Sequence, residues 1–316
     1  MFAFIHQWFS DSSVELDGLS EQEVELAVET AINKTDKRLR LVGNYQRKLR
    51  PAVVEALLHA RELIHQIPGP VEINRSTYAH DVLVHSLFGS ADQVNEVFSL
   101  SADAQAFAKK VWSSGNDHLF GLLLMTLNRK SRPGFVLNGD MVQGDVMQKI
   151  VFFSDHALVK VAGSEEQVRT MLRERALEGM FQAYKRRVAE NTRQSNELKR
   201  EQARLRREAN PRDQDRLAEV ERELKSTSQS LLHIDDHLDL LIEVLTNPND
   251  HCGLEHREVH LDRDGVDRGA AGEDGYQVPF AEITVGEVQR AGLLVKYPLN
   301  ELLDMNHLHS LPNVAY

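Results

Sequence analysis

Two heptad runs flank Asn210-Pro211, and they constrain the fold of this chain more than any other feature. Upstream, residues 177, 181, 184, 188, 191, 195, 198, 202, 205 and 209 step by four and three. Downstream, residues 217, 220, 224, 227, 231, 234, 238, 241 and 245 do the same. That period draws one narrow stripe along a helix. Proline lacks the N–H a helix needs and clashes with the preceding turn, so Pro211 is a breaker. Two matched stripes about a breaker predict two helices folded back on each other. The expectation is an antiparallel coiled-coil hairpin over residues 164–246. Facing residues should have a nearly constant sum: Leu205 with Val220, Leu198 with Thr227, Phe181 with Leu245. The stripe is apolar at its root and polar midway, at Asn191, Ser195 and Gln202. Polar seam residues cost stability but fix register.

Charge bears on what such an arm could bind. Residues 185–212 hold ten Lys or Arg and four Glu, a net of +6. Read alone, with Arg204, Arg206 and Arg207 near its end, this is a basic helix suited to nucleic acid. Residues 213–245 hold nine acids and three bases, a net of −6. The two halves cancel, and flanking charges of opposite sign favour their own pairing. The whole chain carries −11. General attraction to nucleic acid or to an anionic membrane is therefore not expected from the molecule as a whole.

The segments on either side of the arm differ in texture. Residues 1–116 read as helical. Ser20 with Glu23 forms a capping box, Pro51 suits the first turn of a second helix, and Pro68-Gly69-Pro70 ends it. Further helices are expected over 78–88, from Ser90 to Leu100, and on to about Trp112. Residues 117–163 read as a β meander. Ser131-Arg132-Pro133-Gly134 and Asn138-Gly139 are its turns, and Ile150–Phe153 and Ala157–Val161 are two of its strands. Residues 247–298 return to strand texture, with 256–262 alternating and Tyr276–Val285 and Ala291–Tyr297 as further strands. Asp264–Gly275 reads as a flexible loop. Residues 299–316 form a tail, with one helix expected over Leu299–His309. Two or three strands alone expose their edges and bury little, so both strand groups should join one sheet. The expected fold is α+β and mostly helical: a helical N-terminal region, a small antiparallel sheet, and the coiled-coil hairpin inserted between the sheet's two halves.

Chemistry is sparse. There is no G-x-x-x-x-G-K-[ST] loop, no G-x-G-x-x-G after a strand and no G-x-S-x-G elbow. The one cysteine, Cys252, rules out an internal disulfide and fits a reducing compartment. Met1–Phe9 is apolar without a basic flank or a cleavage site, so it reads as a terminal segment docked on the core. Histidine, 14 of 316 residues, is the unusual component. His233-Ile234-Asp235-Asp236-His237 puts two imidazoles four apart on a helix edge, with Asp236 between them. That spacing can chelate a metal, although no third ligand is evident. His256, Glu258 and His260 share a strand face that reads as a solvated outer face. No cofactor or metal is expected.

The function expected from these features is a non-enzymatic, cytoplasmic interaction or scaffold protein whose coiled-coil arm engages a protein partner. A nucleic-acid-associated factor using helix 185–212 is the alternative. A metal-dependent enzyme using His233, Asp236, His237, His256 or His260 is a third.

Overall fold

A computed structural model describes residues 18–111, 116–138, 141–208, 214–229, 233–251, 253–269, 275–285 and 288–303. The segment Met1–Phe9, the hairpin turn about Asn210-Pro211, Cys252 and most of the tail lie outside these residues. The chain divides into two compact units, Met1–Arg61 with Arg175–Cys252 and Glu62–Glu174 with Gly253–Tyr316.

The first unit is helical. Its elements are α1 (Glu21–Lys34), a 3-10 turn (Lys37–Leu41), most of α2 (Tyr45–His65), the greater part of α7 (Glu165–Glu208), α8 (Gln214–Gln229) and α9 (Ile234–Thr246). Ser20 opens α1 by accepting a hydrogen bond from the Glu23 amide at 3.2 Å, as the sequence predicts. The 3.6-residue period then buries Val28, Ala31 and Ile32 of α1 against Leu49, Ala52, Val53 and Ala56 of α2. Met180, Phe181 and Tyr184 of α7 and Leu238, Leu241 and Leu245 of α9 complete the same core. The second helix begins at Tyr45, six residues before Pro51, which stands inside it. Burial of Tyr45, Leu49, Ala52 and Val53 on one face carries the helix through the proline.

The second unit is a sheet between helices. Strands β2 (His118–Asn138), β3 (Met141–Ala162), β4 (Gly253–Leu261), β5 (Tyr276–Val285) and β6 (Val288–Pro298) lie in the order β3-β2-β6-β5-β4, all antiparallel. The short β1 (Val71–Glu72) pairs parallel with β6. Strands from both sides of the 164–246 segment therefore share one sheet. One face packs Leu123, Phe153, Leu261, Phe280 and Tyr297 under α4 (Val82–Leu87), α5 (Ala91–Leu100) and α6 (Ala102–Val111). Tyr297 stacks on Phe98 at 4.1 Å between ring centroids and donates to Asn95 Oδ1 at 3.1 Å. The other face packs Leu122, Ala281 and Leu294 against Ile64, Ile67, Val168 and Leu172. Arg169, on α7, donates to the carbonyls of Ile64 at 2.6 Å and Ile67 at 3.3 Å, capping the end of α2.

Several expectations are corrected. The meander of short strands is one long hairpin, β2 with β3, that runs straight through Ser131–Gly134 and through Ser154–His156. Its irregularities are absorbed as bulges at three register shifts, with Asp145, Asp155 and Lys160 in the left-handed region at φ 59°, 51° and 56°. A bulge takes up extra residues while the ladder continues on both sides, so turn-like residues did not have to reverse the chain. The helix expected over 78–88 is instead α3 (Arg75–His80) followed by α4, because Asp81 caps the second by accepting from the Leu83 amide at 2.8 Å. The described start of the loop after β4 is held at 265–267. Val151 N donates to Gly265 O at 2.9 Å and Asp267 N to Lys149 O at 2.8 Å, which joins the edge strands β3 and β4. The described start of the tail is a 3-10 turn, Leu299–Glu301, rather than an α-helix. The second heptad run is not one helix: α8 ends at Gln229 and α9 starts anew after His233.

Candidate functional site

The features with the most to say about function lie on α7, α8 and α9. Between Lys185 and Arg207 the only buried α7 residues are Leu198 and Leu205. They cluster with Val220 of α8, and the half-buried Leu217 and Leu224 pack against them. Val188, Asn191, Ser195 and Gln202 are half-buried, whereas most of their neighbours are exposed. The shielded positions thus follow the four-three stepping of the heptad seam. Side chains at positions 227–230 and residue 231 lie outside the described ones, so the pairs expected there do as well.

Charges cross from α7 to its neighbours. Arg206 binds Glu221 at 2.7 Å, Arg216 binds Glu201 at 3.0 Å, and Arg187 binds Glu243 of α9 at 2.7 Å. Gln202 also donates to Glu221 at 3.3 Å. These pairs are exposed, so water screens them and each adds little to stability. Their meaning is directional: Glu201 meets residue 216 and Arg187 meets residue 243, so α7 and the returning chain run oppositely. Arg204 and Arg207 are exposed on the same helix. Ala189, Thr192, Arg193, Asn196, Glu197 and Arg200 form an open stripe along α7.

The histidine pair does not sit as the spacing predicts. His233 precedes α9 with extended backbone, φ −106° and ψ 153°, so it is a cap residue and not one turn from His237 on a helix. Asp236 is occupied locally: its Oδ2 accepts from the His233 amide at 2.9 Å. Asp235 and Asp236 both stand in the first turn, where the helix dipole favours acids. Lys48 pairs with Asp235 at 3.2 Å. On β4, Val259 and Leu261 are buried while His256 and Glu258 are exposed, and His260 Nε2 lies 3.9 Å from Glu258. Among the described residues no three His, Cys, Asp or Glu side chains come together as a metal site.

Folding assembles one polar group that spacing could not reveal. Tyr184 Oη lies 3.2 Å from His237 Nδ1, across 53 positions of sequence. Beside them, Arg38 grips Asp36 through Nε and Nη2, the latter at 2.7 Å. That hydrogen bonding holds the Asp36 carboxyl below its ordinary range, and His237 adds to the effect. Burial pushes the Tyr184 hydroxyl up to about 12. The phenol stays protonated, and the His237 tautomer sets which partner donates. The contact joins α7 to α9, and the Asp36–Arg38 pair of the 3-10 turn acts on both side chains through charge. Tyr184 is also a heptad residue, which is the one signal that marked it.

The raised hydroxyl has a measurable consequence. The unfolded chain loses this proton near pH 10.0, and the folded chain holds it to about 12. The stabilisation is complete below pH 10.0 and is lost as pH rises to about 12. Burial raises Tyr297 in the same direction. Urea midpoints should fall across that window, and Tyr184→Phe should make the fall shallower. An identical slope in the variant would remove Tyr184 from the explanation.

No family model, curated protein or solved structure matches this chain. No described helix is long and apolar enough to cross a membrane.

Proposed function

We propose that this chain is a non-enzymatic cytoplasmic interaction protein, in which α7 pairs with α8 as an antiparallel coiled-coil arm that presents its outer faces to a protein partner. The observation that carries the reading is the narrow shielded stripe through Leu198, Gln202, Leu205, Leu217, Val220 and Leu224, with charged, exposed residues around it. A helix pair that buries so little serves poorly as a core and well as an extended surface. Arg206 and Arg187 of the basic helix are engaged by Glu221 and Glu243, which disfavours the nucleic-acid reading.

Two measurements test it. In a Cys252→Ser background, Leu205→Cys with Val220→Cys should oxidise to a disulfide within one chain, seen as a faster monomer on non-reducing gels. Only cross-linked dimers would reject the hairpin. Cross-linking capture should then recover a protein partner with the intact chain but not with one whose residues 190–236 are replaced by a short Gly-Ser link. Equal capture by both would place the binding surface elsewhere.

A further inference from the structure

The β2–β3 hairpin outruns its sheet. Pairing of β2 with β6 ends at Met125, and contact of the 265–267 loop with β3 ends at Lys149. Among the described residues, the rest is a two-stranded ribbon, 131–138 with 141–149, roughly 26 Å long at about 3.3 Å per residue. Directly paired residues project to the same side. Arg129 pairs with Val151, Ser131 with Lys149 and Pro133 with Met147, so these share a face, and Phe135 joins them by alternation along β2. Val151 is buried in the core under α4–α6. The ribbon face is therefore the continuation of an apolar inner face, beyond the helices that cover it. Phe135 is 73% and Met147 63% exposed there.

The ribbon and its base at 129–130 are also locally basic on an acidic chain. Arg129, Lys130, Arg132 and Lys149 are exposed, against one described acid, Asp145. Lys130 lies over the Phe152 ring at 4.9 Å, on the opposite face. Cations and Pro133 on open strands oppose addition of another strand, since proline offers no amide to a ladder. They do not account for a phenylalanine and a methionine left bare beside them.

We propose that this ribbon docks, inner face down, on an anionic lipid surface. Phe135 and Met147 enter the interface, and Arg129 and Lys149 on the same face meet lipid phosphates. A nucleic acid would answer the cations and could stack a base on Phe135 but gives no apolar seat to Met147, whereas a lipid interface takes the cations and both apolar side chains. The net charge of −11 opposes this at long range. At physiological salt that repulsion is screened beyond about 8 Å, so the local charge decides.

The test is vesicle co-sedimentation of the full chain. It should sediment with phosphatidylcholine vesicles containing phosphatidylserine and not with phosphatidylcholine alone, and added salt should weaken binding. Arg129→Gln should weaken it about fivefold, and Lys149→Gln by a similar factor. Phe135→Ser with Met147→Ser should abolish sedimentation while leaving the thermal melt unchanged, because both side chains are exposed. No sedimentation with phosphatidylserine would overturn the proposal. So would full retention by the Phe135/Met147 variant, or tighter binding to duplex DNA that those two substitutions leave intact.

Discussion

Gly69→Ala is expected to unfold the sheet unit. Gly69 has φ +111°, a region that side chains other than glycine rarely adopt. A Cβ there would stand 2.2 Å from the Leu294 carbonyl oxygen and 2.9 Å from its carbon. Both atoms are backbone of the central strand β6, so neither can swing aside as a side-chain end would. The segment cannot retreat either, because Leu294 N donates to Pro68 O at 2.9 Å and Ile73 N to Lys296 O at 2.9 Å. Strain in the backbone and overlap with a strand together should cost more than about 4 kcal/mol, a large share of a domain's stability. Gly269→Ala is the control: φ is +64° but among the described residues nothing lies within 4 Å of the added carbon. It should cost about 1–2 kcal/mol. Denaturant midpoints followed by near-ultraviolet dichroism separate the two, and equal midpoints would refute the close approach.

Leu238→Ala should be the costliest truncation among the heptad residues, and Leu224→Ala a mild one. Leu238 is fully buried in the core shared by α1, α2, α7 and α9. Removing it leaves a cavity that helices packed from several sides cannot close, at a cost of about 3–5 kcal/mol. Leu224 is half-buried at the rim of the small Leu198–Leu205–Val220 cluster, where water can fill the space. About 1 kcal/mol is expected there, since only part of its area leaves water. The two residues sit in the same heptad pattern, so the contrast measures what the pattern omits, namely what lies on the far side of the helix. Equal losses in urea titrations would mean that the outer cluster is as well packed as the root.

Local interactions made much of this protein readable from its residues. Ser20, Ser90 and Ser164 accept hydrogen bonds from amides three residues on, at 3.2, 3.1 and 3.4 Å, so the starts of α1, α5 and α7 are written within one turn. The strand Gly253–Leu261 follows from the alternation at 256–262, which needs only one buried face. Between Lys185 and Arg207 the shielded positions of α7 follow the four-three stepping, whereas Met180 and Ala183 at its root are buried off that series. Prolines and glycines were the weakest guides. Their turn signal at Ser131–Gly134 was overruled by a ladder extending on both sides, and Pro51 was carried inside α2 by the burial of its neighbours. Asp81 and His233 each begin a new helix where periodicity alone ran on, because one capping hydrogen bond outweighs a weak stripe. The meeting of Tyr184 with His237, the return of 265–267 to β3, and the covering of one part of an apolar face but not of Phe135 depend on residues far apart in the chain. Spacing carries no record of such contacts: they arise when separate amphipathic surfaces find each other, and their geometry is set by the packed elements between them.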